Sequence, residues 1–198
     1  MLVHLRRSIV LCLIAFVIFG FAYALAGTGV SQLLFEHQAD GSITTNGSTL
    51  VGQSWTSPKW FHGRPDDAGP YAANAKAKIS GGDNPGAADG FNGESGATNL
   101  GPRSAVLLAN TKALIAYWHK LGVNPTPDLV TTSGSGYDPD ITAADALVQI
   151  PMVAKATGIA PSQLRQLIAT KTRGEQLGFL GGTYIVVLQL NEALARLR

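Results

Sequence analysis

Cysteine is almost missing from this sequence. Cys12 is the only one in 198 residues, and it lies in an apolar stretch near the N-terminus. No internal disulfide can form, so folding rests on burial even in an oxidising compartment. A charge imbalance is missing too. Lysine and arginine number 15 against 13 aspartate and glutamate, and the excess of two is Arg6 and Arg7. From Gly27 onward the two signs balance, which argues against nucleic acid, a partner that needs a concentrated basic face. Charged residues make up 14% of the chain and glycine 23 positions, the composition of a weakly charged, loop-rich domain.

Catalytic signatures are absent as well. There is no G-x-x-x-x-G-K-[ST], no D-K-T-G-like phosphorylation sequence, no C-x-x-C and no H-E-x-x-H. Ser135 stands in T-S-G-S-G, without the G-x-S-x-G spacing of a hydrolase nucleophile, and His37, His62 and His119 show no local pattern with it. Asp83, Asn84, Asp89, Asn92 and Glu94 miss the calcium-loop spacing, because Pro85 and Ala87 occupy ligand positions. No metal or cofactor site is expected.

Long apolar runs are lacking with one exception, Ser8 to Ala26. At 1.5 Å per residue it spans roughly 28 Å, about the hydrocarbon core of a bilayer. It reads as a single transmembrane helix. Arg6 and Arg7 flank its N-terminal side, while the next charge on the other side is Glu36. Basic flanks stay in the cytoplasm. The organisation expected is therefore a cytoplasmic N-terminus over 1–7, a span over 8–26 and one extracytoplasmic domain over 27–198. A cleaved signal peptide is the rival reading, with Ala24-Leu25-Ala26-Gly27 as an A-x-A site, but the run exceeds the ~7–15 residues of a signal core. Either reading exports the domain.

The domain reads as mixed α+β. Gly27 to Asp40 continues the helix past the bilayer. Ser42-Ile43-Thr44 and Thr49-Leu50-Val51, with Asn46-Gly47 between, suggest a hairpin. Trp55, Trp60 and Phe61 either cover a small sheet, with Arg64 paired to a nearby acid, or form an aromatic docking patch. Gly69 to Gly101 is expected to be a surface loop. Ser104 to Leu121 carries an apolar stripe of Leu107, Leu108, Thr111, Leu114, Ile115, Trp118 and Leu121 at helical spacing, with Gly122 as its stop and His119 exposed near its end.

Leu129 to Thr132 reads as a short strand, followed by a Ser133 to Gly136 turn. Thr142 to Asp145 forms a capping box, and the helix it starts should kink or break at Pro151. A further helix begins at Pro161 and packs Leu164, Leu167 and Ile168. Tyr184 to Leu188 reads as a buried strand, and Asn191 to Arg198 as a closing helix that packs Leu194 and Leu197. A strand end followed by Gly-Ser-Gly displays Ser133, Ser135, Tyr137 and Asp138, either as a bare turn, with Asp138 or Asp140 capping the next helix, or as a polar docking loop.

Several motifs then add a resemblance. Gly47 to Gln53 followed by Trp60-Phe61-His62-Gly63-Arg64-Pro65 resembles the entry motif of the C subunits of the Kdp potassium-transporting ATPase. Ser95 to Pro102 is similar to that family's SGGSNLGP, and Asp128 to Thr142 to its LVTTSGSGLDPHIS. Gln149, Val153 to Ala156 and Val187 to Leu194 fit its C-terminal pattern. Tyr137 stands where Leu is usual, Asp140 where His or Asn is usual, Ala97 and Thr98 where Gly and Ser are usual, and Gly82 to Glu94 is additional loop. The resemblance implies a non-catalytic subunit that assembles and stabilises an ATP-driven potassium importer in the cell membrane. Its partners would be the potassium-conducting subunit, the P-type ATPase subunit, a small membrane subunit and the lipid bilayer. It also implies that the complex, not this chain, uses ATP, Mg and K. The family is further described as a catalytic chaperone that raises the ATP affinity of the ATPase subunit. An exported domain cannot touch cytoplasmic ATP, so any such effect has to pass through the span or other subunits. The candidate interface residues are Phe61, Arg64, Ser133, Ser135, Tyr137, Asp138 and Gln149. The competing expectation is a membrane-anchored extracytoplasmic solute-binding or hydrolase domain.

Overall fold

The computed structural model describes residues 1–53, 55, 57–65 and 99–198. The expected surface loop Gly69 to Gly101 falls outside the described residues except for Asn99 to Gly101. So do the additional loop Gly82 to Glu94 and the first part of the Ser95 to Pro102 motif. The chain divides into two compact units, Met1–Ile43 and Thr44–Arg198.

The first unit is one long apolar helix, Leu2–Ala39, of 38 residues with none of its most apolar window buried. Within it, α1 (Leu2–Ala15) passes through a π-helical stretch (Phe16–Ala22) into α2 (Tyr23–Ala39). Phe35 departs from helical angles, with φ −141° and ψ 43°. At 1.5 Å per residue the whole helix measures about 57 Å, longer than a bilayer core needs. It covers the apolar Ser8 to Ala26 run and carries on beyond it, as the sequence suggests.

The second unit is helical with very short strands, an α+β arrangement. β1 (Ile43–Thr44) pairs with β2 (Gly47–Ser48). The hairpin is present, but its loop is Thr45-Asn46 and the second strand begins at Gly47 rather than Thr49. Gly47 sits at φ +137°, a conformation closed to other residues, and this places it as the first residue of the returning strand.

α3 (Ala105–Lys120) starts where Ser104 caps the Leu107 N–H and stops at Gly122. Of its expected stripe, Leu114 and Trp118 are buried while Leu108 is exposed; His119 is exposed as expected. Leu129 and Val130 do not form a strand. They belong to a 3-10 turn, Asp128–Val130. Both are buried, and the Trp118 indole N–H donates to the Leu129 carbonyl at 2.9 Å.

β3 (Asp140–Ile141) pairs antiparallel with β4 (Ile185–Val186), Asp140 opposite Val186 and Ile141 opposite Ile185. α4 (Ala143–Thr157) then begins with the expected capping box: Asp145 N–H donates to Thr142 Oγ1 at 3.2 Å and Thr142 N–H to Asp145 Oδ2 at 2.7 Å. Thr126 Oγ1 donates to the other Asp145 oxygen, so neither Asp138 nor Asp140 is the cap. α4 runs unbroken through Pro151. Pro151 cannot donate to the Leu147 carbonyl, but both residues lie on the exposed face, and burial of Ile150, Met152 and Val153 holds the helix around them.

α5 (Pro161–Lys171) buries Leu164 and Ile168 and leaves Leu167 half-buried. The expected long strand from Tyr184 is cut short, because α6 (Val187–Ala195) already begins at Val187. Val187, Leu190, Asn191 and Leu194 are buried at helical spacing, and that period overrides the β-prone run. Leu197 lies outside the helix and is half exposed instead of packed. α5 packs between α4 and α6, and β4 lies against α5. Phe61, Trp118, Leu129, Val153, Leu164, Ile185, Leu190 and Leu194 form the centre of one core.

Candidate docking site

The site is built on the short extended segment Phe61 to Pro65. Two buried side-chain amides fix it. Asn191 of α6 accepts from the Phe61 N–H at 2.9 Å and donates to the Phe61 carbonyl at 2.8 Å. Gln149 of α4 does the same to the next residue, accepting from His62 N–H at 2.8 Å and donating to the His62 carbonyl at 3.0 Å. Each amide imitates a strand neighbour, so two helices supply the backbone partners that a sheet would give. The Gln149 amide also donates to the Asp145 carbonyl at 3.2 Å, one turn back in its own helix.

The side chains of this segment point into the core. Phe61 and His62 have no exposed surface. The His62 ring meets the Ser57 carbonyl at 3.1 Å through Nε2 and lies 5.4 Å from the Trp118 ring. A carbonyl only accepts, so Nε2 carries the proton. Burial pushes the imidazole down to about 4, with the Ser57 contact acting weakly the other way. Trp55 and Trp60 stack beside the core, their ring centres 5.4 Å apart.

Arg64 turns outward from this fixed segment and takes hold of the loop that follows the 3-10 turn. It donates to Asp138 Oδ2 at 3.3 Å and to the carbonyls of Thr131 and Thr132 at 3.4 and 3.1 Å. The pair is about three-quarters buried on both sides and is the one ion pair found among the described residues. Arg64 Nε is buried with no hydrogen-bond partner among the described residues.

The loop itself is closed by its own serines. Ser133 Oγ accepts from Gly136 N–H at 3.0 Å and lies 3.2 Å from Ser135 Oγ. Ser135 Oγ accepts from Tyr137 N–H at 3.2 Å. Gly136 sits at φ +76°, so the turn requires glycine there, whereas Gly134 has an ordinary backbone and open space around it. The Tyr137 carbonyl accepts from Gly52 N–H at 2.8 Å, joining the loop to the chain after the hairpin. Asp138 Oδ1 accepts from Asp140 N–H at 3.1 Å. The Asp140 carboxyl is pushed up to about 6, first by burial and then by Asp138 beside it, against an opposing pull from Arg173.

The structure thus brings Arg64, Ser133, Ser135, Tyr137 and Asp138 into one neighbourhood. Ser135 is exposed, Arg64, Tyr137 and Asp138 are half-buried, and Ser133 is turned inward. Phe61 and Gln149, which the resemblance groups with them, are fully buried and support the segment from behind. Arg64 is paired to a nearby acid, Asp138, as one reading of Trp55 to Pro65 expects, while Phe61 lies within the core and Trp55 and Trp60 pack against it. Asn191 is the functional contributor that periodicity hides, since a polar residue on the apolar stripe of α6 signals a buried hydrogen-bonding duty. Among the described residues no group of three or more His, Cys, Asp or Glu side chains is placed to hold a metal.

The chain as a whole is similar to a known family. The family described as KdpC, K+-transporting ATPase, c chain, matches residues 5–196. Curated relatives named "Potassium-transporting ATPase KdpC subunit" are similar along nearly the whole chain. The one from Gloeobacter violaceus is 41% identical over 186 residues, covering 90% of this chain and 88% of its own. The one from Methylobacterium nodulans is 40% identical over 205 residues, covering 100% and 98%. The one from Sorangium cellulosum is 38% identical over 205 residues, covering 98% of each. Agreement over this length, with the single apolar N-terminal helix included, means that the chain belongs to the KdpC family, the c chain of the K+-transporting ATPase.

Proposed function

We propose that this chain is a non-catalytic subunit that assembles and stabilises a potassium-transporting ATPase complex from outside the cytoplasm. Its helix anchors it in the cell membrane with Arg6 and Arg7 inside, and the domain from Gly27 onward lies outside. The domain docks on the potassium-conducting subunit through the Arg64–Asp138 edge and the Ser133 to Asp138 loop. Any effect on ATP affinity is relayed through the other subunits, because the domain and the nucleotide are on opposite sides of the bilayer.

The observation that carries this reading is the Arg64–Asp138 pair. It ties together two segments that are each rich in family-like motifs, and it places a charge-bearing, preorganised polar edge at the surface. An internal turn does not need an arginine that spans Asp138, Thr131 and Thr132. At an interface, loss of one hydrogen-bonded charge contact typically costs ~2–5 kcal/mol. The test is co-purification of the complete complex with the full chain carrying Asp138→Ala, together with growth at limiting potassium. Loss of both, with the variant chain still folded, is the expected result. An intact complex and normal growth would remove the loop from the interface.

A further inference from the structure

The face of α6 turned away from the core has a period of its own. Gln189, Glu192, Ala193 and Arg196 recur at three- and four-residue spacing and so line one side of the helix, while Leu190, Asn191 and Leu194 are buried on the other. α5 packs against α6 and ends on Lys171. These five residues line a half-open cavity of about 270 Å³, room for about nine waters at ~30 Å³ each. Ala193 is its only apolar residue. Charge in the cavity is not balanced. Glu192 is its one acid, and Oε1 of that acid is already taken by Asn46 Nδ2 at 2.8 Å and Thr44 Oγ1 at 3.4 Å. The side chains of Lys171 and Arg196 make no hydrogen bond or ion pair among the described residues. Gln189 Oε1 accepts from Arg173 at 2.6 Å, which leaves the Nε2 end of that amide as a donor for the cavity. Arg173 itself interacts with Asp140 and lies over the Tyr184 ring, so the positive charge of the site rests on Lys171 and Arg196. A cation near a helix C-terminus also suits the backbone dipole. That explains one at each helix end, not two unpaired cations and an amide donor converging on one cavity.

We infer that this cavity between α5 and α6 binds a phosphate group, with Lys171 and Arg196 as its charged donors and Gln189 Nε2 as a neutral one. The site is separate from the Arg64–Asp138 edge and does not depend on how that edge docks. A phosphate presents several oxygens that converging donors can share, and its bonds to lysine and arginine are charge-assisted. A carboxylate has fewer oxygens than the site has donors. A nucleoside finds no aromatic ring in the lining on which to stack its base, and one alanine gives no bed for an acyl chain. Two sources carry the required chemistry, the headgroup of an anionic phospholipid and inorganic phosphate in solution.

The test is lysine footprinting of the full chain in maltoside micelles free of phosphate. An amine-acylating reagent is applied and the labelled peptides are read by mass, with Lys120 and Lys155, both exposed, as internal references. One arm adds millimolar inorganic phosphate against potassium chloride of equal ionic strength, and the other adds phosphatidylglycerol to the micelles without free phosphate. Labelling of Lys171 should fall about threefold or more once the site is filled, while Lys120 and Lys155 stay unchanged. Arg196→Gln, an exposed substitution, should keep the melting temperature and abolish the protection. Protection in the first arm alone identifies free phosphate as the source, protection in the second alone identifies the lipid headgroup, and protection in both means that the site takes either; all three support the site. Unchanged Lys171 labelling in both arms overturns it. So does protection that extends equally to Lys120 and Lys155, which is diffuse screening, and so does protection that survives Arg196→Gln.

Discussion

Gln149 and His62 are 87 positions apart in sequence, yet one amide side chain closes both hydrogen bonds of one residue's backbone, at 2.8 and 3.0 Å. Both partners are buried. A side chain that cannot hydrogen-bond would leave two main-chain groups without water or partner, and each such group costs about 1–3 kcal/mol. Gln149→Leu should therefore destabilise the full, detergent-solubilised chain by about 2–4 kcal/mol, and Asn191→Leu comparably through Phe61. Thermal unfolding followed by circular dichroism measures this. A melting temperature within about 1 °C of wild type for Gln149→Leu would show that the amide only fills space.

His62 gives the domain an acid sensitivity with a defined window. The unfolded chain protonates this residue near 6.5, the folded chain only near 4. Stability owed to the neutral ring is complete above pH 6.5 and declines as pH falls from there toward 4. At pH 5 the loss amounts to about 2 kcal/mol, from 1.4 kcal/mol per pH unit over about 1.5 units. Asp140 acts in the opposite sense, because its folded carboxyl, raised to about 6, takes up a proton before the unfolded one at 3.8. Asp140→Asn should then steepen the acid loss, and His62→Leu should flatten it. Melting curves at pH 7 and pH 5 distinguish the three chains; equal pH shifts in wild type and His62→Leu would remove His62 from the account.

If the proposed docking holds, Arg64 and Asp138 separate folding from assembly. As a partly screened pair they contribute on the order of 1 kcal/mol or less to the fold, a shift of roughly 2–4 °C for a domain of this size. A double-mutant cycle of Arg64→Ala and Asp138→Ala, read once by melting and once by co-purification, should give a small coupling in the first and a larger one in the second. A large coupling in melting with none in assembly would assign the pair to structure alone.

Topology and processing are checked in one preparation. In a Cys12→Ala background, Lys120→Cys on the exposed end of α3 should react with a membrane-impermeant thiol reagent added to intact cells or spheroplasts. Labelling only after lysis would reverse the orientation. The intact mass of the membrane-bound chain should include the residues before Gly27; a mature chain that begins at Gly27 would replace the anchor with a cleaved leader.

Much of the architecture is visible in the sequence where a local rule decides alone. Ser104 and Gly122 bracket α3, and Thr142 with Asp145 starts α4, because caps depend on neighbours in sequence. Local rules fail where burial outweighs them. Leu129 and Val130 are β-prone, yet they lie in a 3-10 turn whose Leu129 carbonyl is taken by the Trp118 indole. Val187 and Leu188 look like the end of a strand, but Leu190, Asn191 and Leu194 continue a helical period. Pro151 suggests a break that its exposed position makes harmless. In the candidate site, Arg64 and its acid were readable as a pair. The duties of Gln149 and Asn191 were not, because nothing local shows that a backbone 87 or 130 positions away needs a partner.

The clamp of Phe61 by Asn191 also sets an order of events in time. Asn191 lies 130 positions after Phe61. Synthesis proceeds from the N-terminus, so the aromatic segment emerges long before its partner does. Closing a loop of that length is entropically unfavourable and slow compared with forming a local helix. Until α6 arrives, the Phe61 peptide and the core behind it stay incomplete, with apolar surface open to aggregation or to a chaperone. The long N-terminal helix is thus made first, and the Phe61 segment acquires its side-chain partners only once α6 has followed.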